Sequence, residues 1–376
     1  MPEPFKNLFN TQIILEMAKH FQNHWPDFDH KGFSEAASRD LHTLELKQRS
    51  EQIMNAMVMY LPDDFTRAGA IMMASLSPSP EGDISGVTVE DAGITGWAIM
   101  PMAHYVGLRG HDYFELSMTL FKEFTKRFTS EFGIRFFLLD APENTLSTLK
   151  VWTNDKDRHV RRLVSEGTRP RLPWAMHLPM FIEDPSPVID LLEDLKDDDD
   201  EYVRRSVANN LNDIAKDHPD LVAEISERWM KGASKERQKL LRHACRTLIK
   251  NGDQKVLQVF GYKPPIISKA VIDVNTPELV FGHALEFSLS ISSSADHDQS
   301  LLIDYIIHHQ KANGKTSPKV FKWRTTTLQA NKTLTSTKRH MIKKISTRVY
   351  YPGKHKVEVV VNGISMATAD FNLLIP

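Results

Sequence analysis

At about residue 263 the chain changes the period on which its apolar residues recur, and few features of a sequence restrict a fold more. Before that point they return every three or four positions. Ile13-Ile14, Met17-Ala18 and Phe21 make one stripe, Ile53, Met57 and Tyr60-Leu61 a second, and Leu120, Phe124 and Phe128 a third. That is the spacing of amphipathic helices. Beyond Tyr262-Lys263-Pro264-Pro265 the apolar residues alternate, with Leu285, Phe287, Leu289 and Ile291 on one face of 284–292 and a similar run over 354–362. Tyr351-Pro352-Gly353 and Asn362-Gly363 supply the turns that such short antiparallel strands need. The fold class expected is therefore mainly α, a helical part over 1–262, followed by a smaller β-sandwich of immunoglobulin-like architecture over 263–376. The Cys–Trp–Cys spacing of antibody domains is missing, so the architecture alone is read.

The same cut divides the charge. The net charge of the 376 residues is −1, but 263–376 holds 15 Lys and Arg against 8 Asp and Glu, leaving 32 against 40 before it. A segment at +7 beside one at −8 suggests a polyanionic partner for the basic side. The single cysteine, Cys245, allows no internal disulfide, which suits a reducing compartment. Met1-Pro2-Glu3-Pro4 has no basic n-region leading into an apolar run, and Ala68–Leu76 and Trp97–Met102 fall far short of the roughly 20 residues that span a bilayer. The expectation is a cytoplasmic monomer without a membrane partner.

Within the helical part a pattern repeats. Asp155–Asp157 precedes Val160-Arg161-Arg162-Leu163-Val164, Asp197–Asp200 precedes Val203-Arg204-Arg205-Ser206-Val207, and Ser234–Glu236 precedes Leu241-Arg242-His243-Ala244-Cys245. The intervals, 43 and 38 residues, are close to the ~40–47-residue period of HEAT-like helix pairs, which stack into a solenoid with a concave face. Each acidic or Ser-containing stretch would cap the helix after it, which accounts for Asp197–Glu201 without invoking a metal.

Two stretches could carry chemistry. His159–Trp174 reads as a helix ending at Gly167 in a left-handed C-cap, then a loop stiffened by Pro170 and Pro173 that displays Arg169, Arg171 and Trp174. Arginine forks suit phosphates and a neighbouring aromatic can stack on a sugar or base. Arg161, Arg162 and Glu166 could equally pair along a solvated helix. In the second stretch, Phe128–Phe137, Glu131 and Arg135 stand four apart on what reads as a strongly apolar helix; they could form a structural pair, or Glu131 could serve as a partly buried base. His20 and His24 have helical spacing but no HExxH context, and neither a Walker A sequence nor GxGxxG occurs. Ser77–Gly82 reads as loop and Gly82–Gly96 holds only scattered glycines. No metal or organic cofactor is expected.

Thr129-Ser130-Glu131-Phe132-Gly133-Ile134-Arg135, followed 35 positions after its glutamate by Ser165-Glu166-Gly167-Thr168-Arg169-Pro170-Arg171-Leu172-Pro173-Trp174, resembles the bacterial AlkC 3-methyladenine DNA glycosylases. These belong to a HEAT-like repeat superfamily that also contains AlkD. The resemblance covers the whole helical part, and some family members append an immunoglobulin-like domain. It implies that duplex DNA lies in the concave face, that cationic N3-alkylated bases such as 3-methyladenine and 3-methylcytosine are excised, that Glu131 and Glu166 are the catalytic carboxylates, and that Trp174 lies beside the lesion. It also implies excision without capture of an extruded base.

A base methylated at N3 is already charged and leaves without a general acid; what needs help is the oxocarbenium-like sugar, which carboxylates stabilise, and the water that follows. Phosphate contacts are then expected from Arg161, Arg162, Arg169 and Arg171, joined by Lys338-Arg339-His340 and Lys343-Lys344 of the tail. Lysine-rich strands also discourage edge pairing, which is the bland account of the tail. The alternative for the whole chain is an inert helical scaffold that binds protein or nucleic acid and tolerates loss of either glutamate.

Overall fold

A computed structural model of the chain describes residues 5–79 and 92–376. Met1–Pro4, much of the loop expected at Ser77–Gly82 and most of the Gly82–Gly96 stretch lie outside those residues. The described helices are α1 (Thr11–His24), α2 (His30–Ser38), α3 (Leu46–Tyr60), α4 (Phe65–Ala74), α5 (Ile99–Arg109), α6 (Phe114–Thr125), α7 (Ile134–Asp140), α8 (Pro142–Trp152), α9 (Arg158–Gly167), α10 (Pro179–Glu183), α11 (Ser186–Leu195), α12 (Glu201–Ile214), α13 (Pro219–Met230), α14 (Lys235–Ala244), α15 (Arg246–Asn251) and α16 (Gln254–Val259). The strands are β1 (Ile267–Val274), β2 (Glu278–Val280), β3 (Ala284–Ser293), β4 (Gln299–Gln310), β5 (Thr316–Leu328), β6 (Thr333–Met341), β7 (Gly353–Val361) and β8 (Ile364–Leu374). Among the described residues no helix is long and apolar enough to cross a membrane.

The chain forms two compact units, 1–217 with 234–244, and 218–233 with 245–376. In the first, the apolar stripes become core: Ile14, Met17 and Phe21 of α1 and Ile53 and Met57 of α3 are buried. Polar caps start the helices. Asn10, Asp29, Asp64, Asp157 and Asp200 each accept a hydrogen bond from a backbone N–H of the turn they precede. The Ser234 hydroxyl accepts one from Arg237 N at the start of α14.

The repeat seen in the sequence corresponds to three neighbours: α12 packs against both α9 and α14, while α11 packs against α8, α9 and α12 as part of a second layer. Ion pairs between successive repeats follow the same period. Arg158–Asp200, Arg161–Asp198, Lys150–Asp194 and Arg237–Asp197 join residues 42, 37, 44 and 40 positions apart. The acidic run 197–201 is thus a cap and a set of ion-pair partners, and no group of three metal-ligating side chains occurs among the described residues.

Two helix expectations need correction. α6 stops at Thr125, so Phe128 is not on its stripe; it stands in the following turn, where its ring lies 5.0 Å from that of Trp97. α7 begins only at Ile134, so Glu131 sits in the turn before it rather than on a helix with Arg135.

In the second unit β1, β3 and β6 form one sheet and β2, β8, β7, β4 and β5 the other, in those orders. Pairing is antiparallel except between β2 and β8. Leu285, Phe287, Leu289 and Ile291 of β3 meet Ile303, Tyr305, Val357 and Val359 in the core. Asn362 and Gly363, at φ 48° and 78°, make the tight β7–β8 turn. The helix-to-strand change falls between α16 and β1, close to the sequence cut at 263, yet α13, α15 and α16 belong to the same compact unit as the strands. Gln254 Nε2 donates to Asn362 O at 2.9 Å, and a Cβ on Gly252 would meet Gly363 Cα at 2.9 Å.

Candidate active site

On α9, Arg162 and Glu166 stand one turn apart and so share a face. The turn before α7 brings Glu131 to the same place. Arg162 Nη1 donates to Glu131 Oε2 at 2.5 Å, and its Nη2 lies 3.5 Å from Glu166 Oε2, so one guanidinium bridges the two carboxylates. Burial alone would pull that guanidinium's pKa down; Glu131 and Glu166 more than offset it, raise it, and keep it charged. Its outer face lies 5.2 Å from the centre of the Tyr202 ring.

Glu166 is 5% exposed and both its oxygens are occupied. Oε1 accepts from Arg169 Nη1 at 2.6 Å and Oε2 from the Ser206 hydroxyl at 2.6 Å. Ser206 Oγ in turn accepts from Ser165 Oγ at 2.8 Å, and Arg169 Nε donates to Asp213 at 2.8 Å. Burial pushes the Glu166 carboxyl up, but Arg162, Arg169 and Ser206 outweigh it and hold the group below the ordinary glutamate value. It is a carboxylate at neutral pH. Glu131 differs: Oε2 takes Arg162 and the Thr129 hydroxyl at 2.8 Å, while Oε1 has no partner among the described residues.

Both carboxylates line a cavity of about 260 Å³ whose other walls include Trp97, Phe128, Phe132 and Trp174. Trp174 is 61% exposed and, alone in its loop, adopts a left-handed backbone, φ 66°. Lys47 Nζ donates to its carbonyl at 2.8 Å.

Several expectations are revised. The Glu131–Arg135 pair does not form: Glu131 takes Arg162, while Arg135, fully buried, donates to the carbonyls of Gly167, Arg169 and Met176. Gly167 is not a left-handed cap; it is the last residue of α9, and a Cβ there would meet Ile134 Cγ2 at 2.9 Å, so glycine serves the close approach of α7. The arginines read as phosphate ligands are held by carboxylates: Arg161 by Asp198, Arg162 by Glu131, Arg169 by Glu166 and Asp213, Arg171 by Asp217. Each is committed because its α12-side acidic partner or the site glutamates stand within the span of its fork.

In the tail, Arg339 pairs with Glu286, Lys338 lies over the Tyr305 ring at 5.7 Å, and Lys343 and Lys344 are exposed in the β6–β7 connection. His340 bonds the Tyr305 hydroxyl, and burial pushes its pKa down to about 4, so it adds no charge there at neutral pH.

Trp97, Phe128, Ser206, Asp213 and Lys47 do not stand out in the sequence as site residues. For two of them a signal existed: Ser206 lies 40 positions after Glu166 and Asp213 lies 44 after Arg169, the spacing of neighbours in this array.

Fold and site together define a two-part protein, a stacked helical unit with a guanidinium-bridged carboxylate pair in an aromatic cleft and a C-terminal immunoglobulin-like sandwich. Residues 269–375 match the family described as the uncharacterised protein YhaZ, C-terminal Ig-like domain. The uncharacterized protein YhaZ of Bacillus subtilis (strain 168) is 36% identical over 370 residues, covering 98% of this chain and 99% of that protein. Among solved structures, the Pseudomonas fluorescens alkylpurine DNA glycosylase AlkC, bound to DNA containing an abasic site analog, superposes with a TM-score of 0.86 at 33% identity, covering 99% of this chain and 100% of that one. The chain belongs to the AlkC family of alkylpurine DNA glycosylases, with YhaZ a second full-length relative.

Proposed function

We propose that the protein is a monofunctional DNA glycosylase that hydrolyses the N-glycosidic bond of cationic N3-alkylated bases, 3-methyladenine and 3-methylcytosine, in duplex DNA. The observation that carries this reading is the pair of carboxylates in one aromatic cleft, with the ionised state of Glu166 built in by Arg162, Arg169 and Ser206. The lesion base leaves with the bonding electron pair, which neutralises its own positive charge, so no general acid is needed. Glu166, both oxygens held, stabilises the cationic sugar. Glu131, which lines the cleft and whose Oε1 has no partner among the described residues, orients a water and takes its proton as the water oxygen bonds to C1′. Trp174 and the aromatic walls cover the sugar and keep bulk water away from it. The cavity is below the ~300–1,000 Å³ usual for small-molecule sites, which favours a sugar at the carboxylates with the base left in the stack.

DNA as the partner draws support from the DNA-bound state of AlkC. With four arginines committed to carboxylates, the backbone track is better assigned to the cavity of about 250 Å³ between α12 and α14, where Arg204, Arg205, Lys239 and His243 outnumber the two acidic wall residues, Glu201 and Glu236. Lys343 and Lys344 are further phosphate ligands in this reading. The test is chromatography of bases freed from methylated duplex. Release of N3-methylated bases by the wild type is expected; no release at any salt concentration that permits binding would favour the inert scaffold.

A further inference from the structure

Arg135 is the most buried cation in the helical unit's site region, fully removed from solvent, yet its fork takes backbone carbonyls instead of a carboxylate. Nη1 donates to Gly167 O and Arg169 O, both at 2.8 Å, and Nε and Nη2 donate to Met176 O at 2.8 and 2.5 Å. Those three carbonyls bracket the segment that leaves α9 beside Glu166 and carries Trp174. We propose that Arg135 is a positioning residue for the reaction: from the first turn of α7 it clamps both ends of the 167–176 loop, so that Glu166 and Trp174 face one cleft. The proposal rests on reading that cleft as a glycosylase site.

The geometry explains why arginine is needed. Three carbonyls converge on one point, and a planar guanidinium with five donors reaches all of them at once, whereas an ammonium offers a single centre. Burial and the nearby Arg169 charge push the Arg135 pKa down to about 10, so the clamp remains protonated at neutral pH. The segment has bonds of its own: Ala175 N donates to Leu172 O, and Leu178 N, just past the bracket, to Pro170 O. Lys47 holds Trp174 O from α3, which is a contact at the loop's exposed side. The left-handed backbone of Trp174 is uncommon for a bulky residue, and a conformation of that kind persists only where its surroundings over-determine it. Arg135 on one side and Lys47 on the other supply that.

Arg135→Lys and Arg135→Ala in the full chain test the clamp. Single-turnover release of 3-methyladenine at saturating enzyme is expected to fall about 100-fold in both, the scale of an ångström-sized misplacement, while affinity for undamaged duplex stays within about threefold. Guanidinium in the buffer is expected to restore at least part of the rate to Arg135→Ala and none to Arg135→Lys. Amide hydrogen exchange is expected to quicken selectively over 168–178, with α12 still protected. A rate within about threefold of wild type in both variants would overturn the proposal. So would an equal loss of protection in α9, α12 and the loop of Arg135→Lys, the mark of general destabilisation. If the wild type itself releases no base, it is the glycosylase reading that fails; the clamp is then judged by exchange alone, and unchanged protection of 168–178 in Arg135→Lys refutes it.

Discussion

Replacing Glu166 by Gln removes one negative charge and almost no volume, and its two effects can be worked out separately. Glu166 sits between Arg162 and Arg169 at 5% exposure, and breaking a buried ion pair from one side costs ~3–5 kcal/mol. Here each guanidinium keeps another carboxylate, Arg162 keeping Glu131 and Arg169 keeping Asp213, so the low end, about 3 kcal/mol, applies. For a unit of this size that is a Tm lower by roughly 6–12 °C, which leaves the protein folded at 25 °C. The rate effect is independent of it: losing one preorganised stabiliser of the cationic sugar lowers base release by about 10²–10³. The stability difference also has a definite pH dependence. The folded carboxyl lies below its unfolded value, so its contribution is fully present above the ordinary glutamate range, near pH ~4.3, and disappears as pH falls through the folded value. The wild-type and Glu166→Gln melting curves should therefore converge in acid. Thermal melts from neutral to acid pH and single-turnover base release at 25 °C check both halves. A variant that releases base within about fivefold of wild type while binding DNA equally well would refute the electrostatic role.

Ser206→Ala removes a donor to Glu166, so the carboxyl rises toward its ordinary value; the acid limb of the pH–rate profile should move to higher pH, with only a few-fold loss at neutrality. Trp174→Gly relieves a left-handed backbone at an exposed position, so the Tm should hold or rise slightly while base release drops by about tenfold or more; parallel loss of both would tie Trp174 to stability instead. Arg205→Glu and Lys239→Glu should each weaken duplex binding and reduce the slope of log affinity against log salt by about 1, without altering the bound-state rate. Lys343→Glu with Lys344→Glu should do the same if the β6–β7 connection meets phosphates, and an unchanged salt slope would leave those lysines as edge protection.

What could be read from the sequence was whatever depends on neighbours along the chain. The change of period at 263, the helix caps at Asp157, Asp200 and Ser234, and the alternation of β3 are local, and they stand in the structure as expected. The partners of charged groups are not local. Glu131 and Arg135 have the spacing of a helical pair, but the helix starts three residues after Glu131, and that shift sends one side chain to Arg162 and the other to three carbonyls. Arg161, Arg169 and Arg171 read as phosphate ligands along the chain because Asp198, Asp213 and Asp217, which take them, lie 37, 44 and 46 positions on; only Arg169 has a local carboxylate as well, Glu166. That distance is itself the repeat. In an array with a period near 40, a charged residue on one helix meets residues about one period later, so counting along the chain narrows the partners of Arg161, Arg169 and Arg171 to the stretch 197–217, and the fold selects Asp198, Asp213 and Asp217 within it. The glutamates then stand out for a physical reason: Glu131 and Glu166 share one arginine and both line the aromatic cleft, where an arginine's second carboxylate turns from framework into chemistry.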